Sequence, residues 1–237
     1  MDGENFRYSL RDLFPNQFEY LPKEVEWLKL FQSVVSDSNE LFRIYWYVVD
    51  ILDIRPYKFP DLGMETERLE ELLEISPNFE ADLDALQTTE EKMSFMIGKV
   101  EEMEARRKII RNRFQGWKRV QDGISNKINY LEFRRSGSIN FDLFEDKFEK
   151  EKGVDVNLAV DMLSLCSSYD QAIIFSGDQD YIPAICKCKD RGKHVFSVNF
   201  KTKTGKLLPG SAYRLRTVCD EIITIKHEDI IQFITEF

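Results

Sequence analysis

Two short stretches carry carboxylates where they could do chemistry. Ser176-Gly177-Asp178-Gln179-Asp180 follows directly on the apolar run at residues 172–175. A short buried strand ending there delivers both acids to a strand-to-helix turn, beyond the carboxyl ends of the strands, where open α/β sheets hold their ligands. One Asp suffices to cap the helix that follows, and a second is then free for other work. The other stretch is Lys152-Gly153-Val154-Asp155-Val156, with Asp161 further along the same helical pattern. Six residues turn a helix by about 600°, so Asp155 and Asp161 do not share a face. Asp155 reads equally as a cap, whereas Asp161 sits among Leu158, Val160, Met162 and Leu163, where a carboxylate needs a partner or a metal. Acids gathered from several strand ends make a hard-oxygen site for Mg2+ or Mn2+, with waters and a substrate phosphate completing the shell. Such ions activate water for attack on phosphate. Caps and salt bridges explain the same residues equally well at this level.

The elements that must position these acids alternate. Residues 42–49 read as a strand, 156–168 as a helix, 172–175 as a strand and 181–191 as a helix. Strand 194–198, a helix near 211–219, strand 222–225 and a last helix from about Glu228 follow. That order is the βα repeat of a parallel sheet flanked by helices, an α/β fold. Residues 63–130 break it, being rich in good helix formers and interrupted only at Pro77. Thr88-x-x-Glu91 is a capping-box start. After it Met93, Met96, Val100, Met103, Ile110, Phe114, Trp117, Ile124 and Ile128 make a heptad seam with polar Arg107 and Gln121 inside it. The pattern predicts a helix of about 40 residues, roughly 60 Å long. It either folds back on residues 64–75 as a hairpin or serves as an arm for a homodimer or protein partner.

Composition bounds the rest. The chain has 237 residues, a formal charge of −9 and 43% hydrophobic residues, the balance of a folded protein. No run approaches the ~20 apolar residues of a membrane span. The opening Met1-Asp2-Gly3-Glu4-Asn5 lacks the basic and apolar regions of a secretory signal, so a cytoplasmic location is expected. Cys166, Cys186, Cys188 and Cys219 are then expected as thiols, and Cys186-x-Cys188 without a second pair does not read as a zinc site. Charge is segregated. Residues 60–104 carry −11, residues 105–135 carry +8, and residues 187–206 hold seven bases against Asp190. The last patch could grip phosphate despite the acidic total.

Three fragments, Asp2-Gly3-Glu4-Asn5, Lys152-Gly153-Val154-Asp155-Val156 with Asp161, and Ser176-Gly177-Asp178-Gln179-Asp180-Tyr181-x-Pro183, resemble in order the motifs of the NYN domain family (LabA-like), within the PIN-like nucleases. The resemblance covers roughly residues 1–50 and 128–226. It implies a Rossmann-like PIN-type parallel sheet, in a domain of residues 1–60 and 128–237, interrupted by a helical insertion at 61–127. It also implies a Mg2+- or Mn2+-dependent ribonuclease acting on single-stranded RNA. Carried over residue by residue, Asp2, Asp155, Asp178 and Asp180 would bind metal, Asp161 would match the family's helix acid, and Asn5 would orient the site. Lys152, Ser176, Lys187, Arg191 and Lys193 would hold the RNA. Family members carry an apolar strand directly ahead of the first acid, whereas only Met1 precedes Asp2 here, so a start further upstream is expected. The competing reading is a PIN-like RNA-binding or scaffolding module with weak or lost catalysis, working through its insertion.

Overall fold

The structure is a computed structural model that describes residues 1–55, 81–82, 84–208 and 213–237. The hairpin partner expected at 64–75, the break at Pro77, and Ser211 lie outside the described residues. In chain order the elements are α1 (Gly3–Leu13), β1 (Glu24–Val25), α2 (Trp27–Gln32), β2 (Ile44–Val48), β3 (Ile51–Arg55) and α3 (Thr89–Lys127). Then come β4 (Leu131–Arg135), β5 (Ser138–Asp142), β6 (Lys147–Phe148), α4 (Val154–Ser164), β7 (Gln171–Ile174) and α5 (Ile182–Asp190). The chain closes with β8 (His194–Lys201), α6 (Tyr213–Val218), β9 (Glu221–Lys226), α7 (His227–Ile231) and β10 (Ile234–Glu236). This is a mixed α/β architecture with parallel strand pairs and one long helix. No described helix is long and apolar enough to cross a membrane.

The chain divides into two compact units. The first comprises Met1–Asp50, Val120–Gly137 and Lys152–Phe237, the second Ile51–Arg119 and Ser138–Glu151. In the first unit β2 pairs β4 in parallel, β7, β8 and β9 form a parallel sheet, and β1 pairs β10 antiparallel. Each expected strand of this unit is found, with β8 extending three residues beyond the expected end at 198. Strand β4 was not expected, because Leu131-Glu-Phe-Arg-Arg carries its apolar residues between charges. The short β10 was likewise hidden in a tail that reads as helix.

The stretch ahead of α1 joins the two parallel sheets. Tyr47 N–H donates to the Met1 carbonyl (2.9 Å), and the Asp2 N–H donates to the Phe175 carbonyl at the end of β7 (3.2 Å). Asp2 also forms a parallel bridge with Tyr47. Two residues thus lie between β2 and β7 as a strand does. Helix α1 departs from them and is fastened to the sheet by Phe6, whose ring meets Trp46 at 5.4 Å, Phe175 at 5.6 Å and Phe200 at 5.8 Å. Edge-to-face rings at these separations add specific geometry to the apolar burial.

In the second unit β3 pairs β5 in parallel and β5 pairs β6 antiparallel. The capping box forms, with Glu91 N–H donating to Thr88 Oγ1 (3.2 Å) and Thr88 N–H to Glu91 Oε2 (3.0 Å). The stripe of α3 is real, and its middle is covered by the chain's own sheet: Met103 and Ile110 pack with Ile54, Phe141 and Leu143. Nothing in the helical periodicity of 63–130 announces that sheet. Its strands flank the helix at 51–55 and 138–148. Polar Gln121, in the helical turns belonging to the first unit, is buried because its amide donates to the Tyr20 hydroxyl (2.6 Å) and accepts from Arg135 (3.1 Å).

Gly3 is set by this arrangement. A Cβ there would strike the Tyr47 carbonyl and stand 2.9 Å from Val48 Cγ1. Gly3→Ala must push α1 off β2 and is expected to cost about 1–3 kcal/mol, read as a lowered urea midpoint with an unchanged slope.

Candidate functional site

Asp2 is fully buried, unusual for a carboxylate, and is held by three donors. As N-cap of α1 its Oδ1 accepts the Asn5 N–H (3.0 Å). Its Oδ2 accepts from the Asn5 amide and from Ser176 Oγ (3.1 Å), and the Tyr181 hydroxyl stands 3.3 Å from it. Every one of these donors is neutral. Burial holds the Asp2 carboxyl above the ordinary carboxylate range, the bonds from Asn5 and Ser176 oppose that, and the charge of Asp155 adds to it.

Asp155 reaches the same place from the first turn of α4. Tyr181, almost wholly buried, donates to its Oδ1 at 2.7 Å, so one phenol stands against both carboxylates. A hydroxyl has one proton, and the shorter distance gives it to Asp155. Burial foremost, then the negative charge of Asp2 and Asp155, pushes the phenol far up, and it stays protonated. Asp178 caps the short 3-10 turn Gln179–Tyr181, its Oδ1 accepting the Asp180 N–H (3.0 Å), while Ser176 Oγ accepts the Asp178 N–H (3.1 Å). Asp178 also adds to the field on Tyr181. Asp180 is exposed on the following turn. Ser176 is therefore a buried link between Asp2 and the turn. From the sequence alone Tyr181 reads as a packing residue, with base stacking the less common alternative. Its position directly after an Asp-x-Asp turn was the available signal for a second role.

Asp161 lies elsewhere. Its Oδ2 accepts from the Arg134 guanidinium and from the Tyr47 hydroxyl (2.9 Å), so it is already paired. By contrast, among the described residues no Lys or Arg forms an ion pair with Asp2, Asp155, Asp178 or Asp180.

The basic residues divide across the sheet. Lys193 pairs with Asp170 (3.1 Å), just ahead of β7, Lys187 pairs with Asp190 (2.9 Å), and Arg191 donates to the Leu163 carbonyl (2.9 Å). All three belong to the edge where β7 and β8 begin, whereas the acids stand where β7 ends. An eight-residue strand such as β8 spans about 26 Å, so the structure does not bring Lys187, Arg191 and Lys193 to the acids. Across that strand Lys201, Lys203 and Lys206 lie at the acidic edge, and exposed Lys152 immediately precedes α4.

The sequence model of the NYN domain matches residues 82–226, more than half of the chain. The chain belongs to the NYN domain family. That family is part of the PIN-like nuclease superfamily, so membership points to a nuclease, a hydrolase. The match contains Lys152, Asp155, Asp161, Asp178 and Asp180, while Asp2 and Asn5 lie ahead of it. No curated protein and no solved structure matches the chain.

NYN and other PIN-like nucleases generally use divalent metals. Among the described residues no three His, Cys, Asp or Glu side chains stand together as a complete ligand set. The donor chemistry nevertheless suits a hard cation. Mg2+ commonly takes only one or two carboxylates, with waters and substrate phosphate supplying the remaining oxygens. Asp2 and Asp155 are such a pair, sharing one hydroxyl and lacking a cationic side chain.

The same pair makes a pH prediction. A folded-state pKa above the unfolded value of 3.8 means that the fold binds the Asp2 proton more tightly, so stability falls as pH rises from that value through the folded one. Asp155→Asn removes the repelling charge, and its amide oxygen can still accept from Tyr181. In metal-free buffer that fall should shrink, raising Tm at pH 7 by about 2–4 °C with little change at pH 3. Calorimetry across this range gives the comparison, and equal shifts at both ends would mean that the two carboxylates do not interact.

Proposed function

We propose that this NYN domain is a divalent-metal-dependent endoribonuclease whose centre is Asp2, Asp155, Asp178 and Asp180. The reading rests on one observation above others: Asp2 and Asp155 stand against one Tyr181 hydroxyl beside the Asp178 turn, and among the described residues no Lys or Arg pairs with any of these acids. A cluster of one sign repels a phosphodiester, and it serves hydrolysis only with a cation between the two. Bound Mg2+ or Mn2+ would lower the pKa of a coordinated water and neutralise charge on the phosphate.

The chain's own residues prepare that event. Asp2 and Asp155 hold the cation directly, Asp178 and Asp180 orient waters at the mouth of the site, and Asn5 and Ser176 fix the Asp2 carboxylate. Asp161 acts as the structural counter-ion of Arg134. Lys152 with Lys201, Lys203 and Lys206 grips the RNA backbone by charge, independently of sequence. The preferred substrate is single-stranded, since an acidic crevice admits one extended strand more readily than a duplex. We read β4, β2, β7, β8 and β9 as one Rossmann-like sheet closed at Asp2, in a cytoplasmic enzyme with free thiols.

Labelled single-stranded RNA with Mn2+ tests the reading. Asp178→Asn should keep RNA binding and thermal stability and lose about a hundredfold or more in cleavage rate, the scale of a lost electrostatic contact at a reacting centre. Chelation by EDTA should abolish cleavage reversibly. Activity that survives both treatments removes the proposal.

A further inference from the structure

The solvent side of α3 changes character along its length. Up to Glu104 it mixes its signs as solvated helices do, with Lys99 paired to Glu102 (2.9 Å). Residues 105–119 hold seven Lys and Arg and no Asp or Glu, in a chain whose formal charge is −9. All of that stretch belongs to the second unit.

The fold sorts these bases. On the buried side of the helix Ile110 packs with Ile54 and Phe141, and Trp117 meets Phe148 at 5.5 Å. Bases flanking that seam are occupied within the unit: Arg106 pairs with Asp146 (2.5 Å), Arg113 lies over the Trp117 ring and Lys118 over the Phe114 ring. Opposite the seam Lys108, Arg111, Asn112, Gln115 and Arg119 are exposed. With 3.6 residues per turn and 1.5 Å per residue, these five fall within about 100° of the circumference and extend about 16 Å along the axis. Among the described residues Lys108, Arg111 and Arg119 form no ion pair.

Folding gives no reason for such a row. Like charges three and four positions apart destabilise a helix, and Lys108 and Arg107 stand in those relations to Arg111. Burial, and then the charge of Arg111, lowers the Arg107 pKa. One acid among these positions would relieve the repulsion, and none is present.

We propose that the face of α3 formed by Lys108, Arg111, Asn112, Gln115 and Arg119 is a second RNA site, which holds the sugar–phosphate backbone without reading its sequence. Guanidinium forks take phosphate oxygens in pairs and an ammonium adds a point charge. The two amides supply neutral donors of the kind that contact phosphate and sugar. The five residues include no apolar side chain, whereas a helix that lies on a membrane buries an apolar face. That the polyanion is RNA rests on the nuclease reading above; that this face holds a polyanion does not.

Binding measured in EDTA tests the site apart from cleavage. A labelled RNA hairpin with a long single-stranded tail is titrated against the full chain over a range of salt. The triple variant Lys108→Gln, Arg111→Gln, Arg119→Gln should bind about tenfold or more weakly near 0.1 M salt, whatever the sequence of the tail. Its slope of log K against log salt should be shallower by about 2, at roughly 0.7 for each lost phosphate contact. Lys23→Gln, Lys29→Gln, Lys147→Gln changes net charge equally at exposed, ion-paired lysines and should leave both readings nearly unchanged. Lys108→Arg, Arg111→Lys, Arg119→Lys should keep the slope, which separates lost charge from a damaged helix. Equal weakening by the two Gln variants, or an unchanged slope in the first, overturns the proposal. So does displacement of the RNA by polyglutamate as readily as by unlabelled RNA of equal charge, because the face then suits an acidic protein. A chain that binds RNA through α3 and never cleaves it keeps this site and loses the nuclease reading.

Discussion

The backbone of Met1 and Asp2, bonded on one side to β2 and on the other to β7, is the constraint on which the rest of the first unit depends. Asp2 is bridged in parallel to Tyr47 of β2 and bonded through its N–H to the Phe175 carbonyl just after β7, and so links the β2–β4 pair to the β7–β8–β9 sheet. It also starts α1, because Asp2 is the N-cap, and thereby sets Phe6 among Trp46, Phe175 and Phe200. The same carboxylate that caps the helix is the buried member of the acidic group. As a cap Asp2 keeps its Oδ1 on the Asn5 backbone N–H, while the Asn5 side-chain amide and the Ser176 hydroxyl fill Oδ2, so the helix start and the turn after β7 meet on one carboxylate.

Charge pairing separates the acids into two kinds. Asp161 is joined to Arg134 and Tyr47 and leaves nothing uncompensated. Asp2 and Asp155 stand against a single phenolic hydroxyl, and the charge of Asp155 adds to the burial that holds the Asp2 carboxyl up. Folding alone has no reason to gather like charges, which cost stability. Like charges held beside a protonated Tyr181 are of the kind that concentrates at functional positions.

The acids themselves were legible in the sequence because their signals are local. Asp178 follows a strand and caps a turn, Asp155 opens a helix, and both are visible within ten residues. What lay beyond reach was set by the third dimension. Lys187, Arg191 and Lys193 stand close to Asp178 and Asp180 in sequence, yet α5 carries them to the opposite edge of the sheet, and β8 brings back Lys201 and its neighbours. Linear proximity is no guide to spatial proximity when a helix and a strand intervene. The β3–β5–β6 sheet escaped for another reason. Its strands are short, two to five residues, and lie on either side of a 39-residue helix whose periodicity dominates the local pattern. The stripe on that helix was legible, and part of it meets strands separated from it in sequence, while the helical partner expected at 64–75 lies outside the described residues.

Three of the points where the chain passes between its two units lie, within the first unit, close to Asp155. Asp50 N–H donates to the Gly137 carbonyl (3.3 Å), so the two points of departure meet. Gly137 has φ +70° and abuts the last return: a Cβ there would collide with the Lys152 carbonyl and stand 3.0 Å from Val154 N. Only glycine allows that approach at that backbone angle. Gly153, at φ +86°, lies against it and is the N-cap of α4, whose first turn carries Asp155. Three crossings of the chain therefore converge beside one carboxylate of the pair, and the position of Asp155 is fixed by the same backbone contacts that begin and end the excursion.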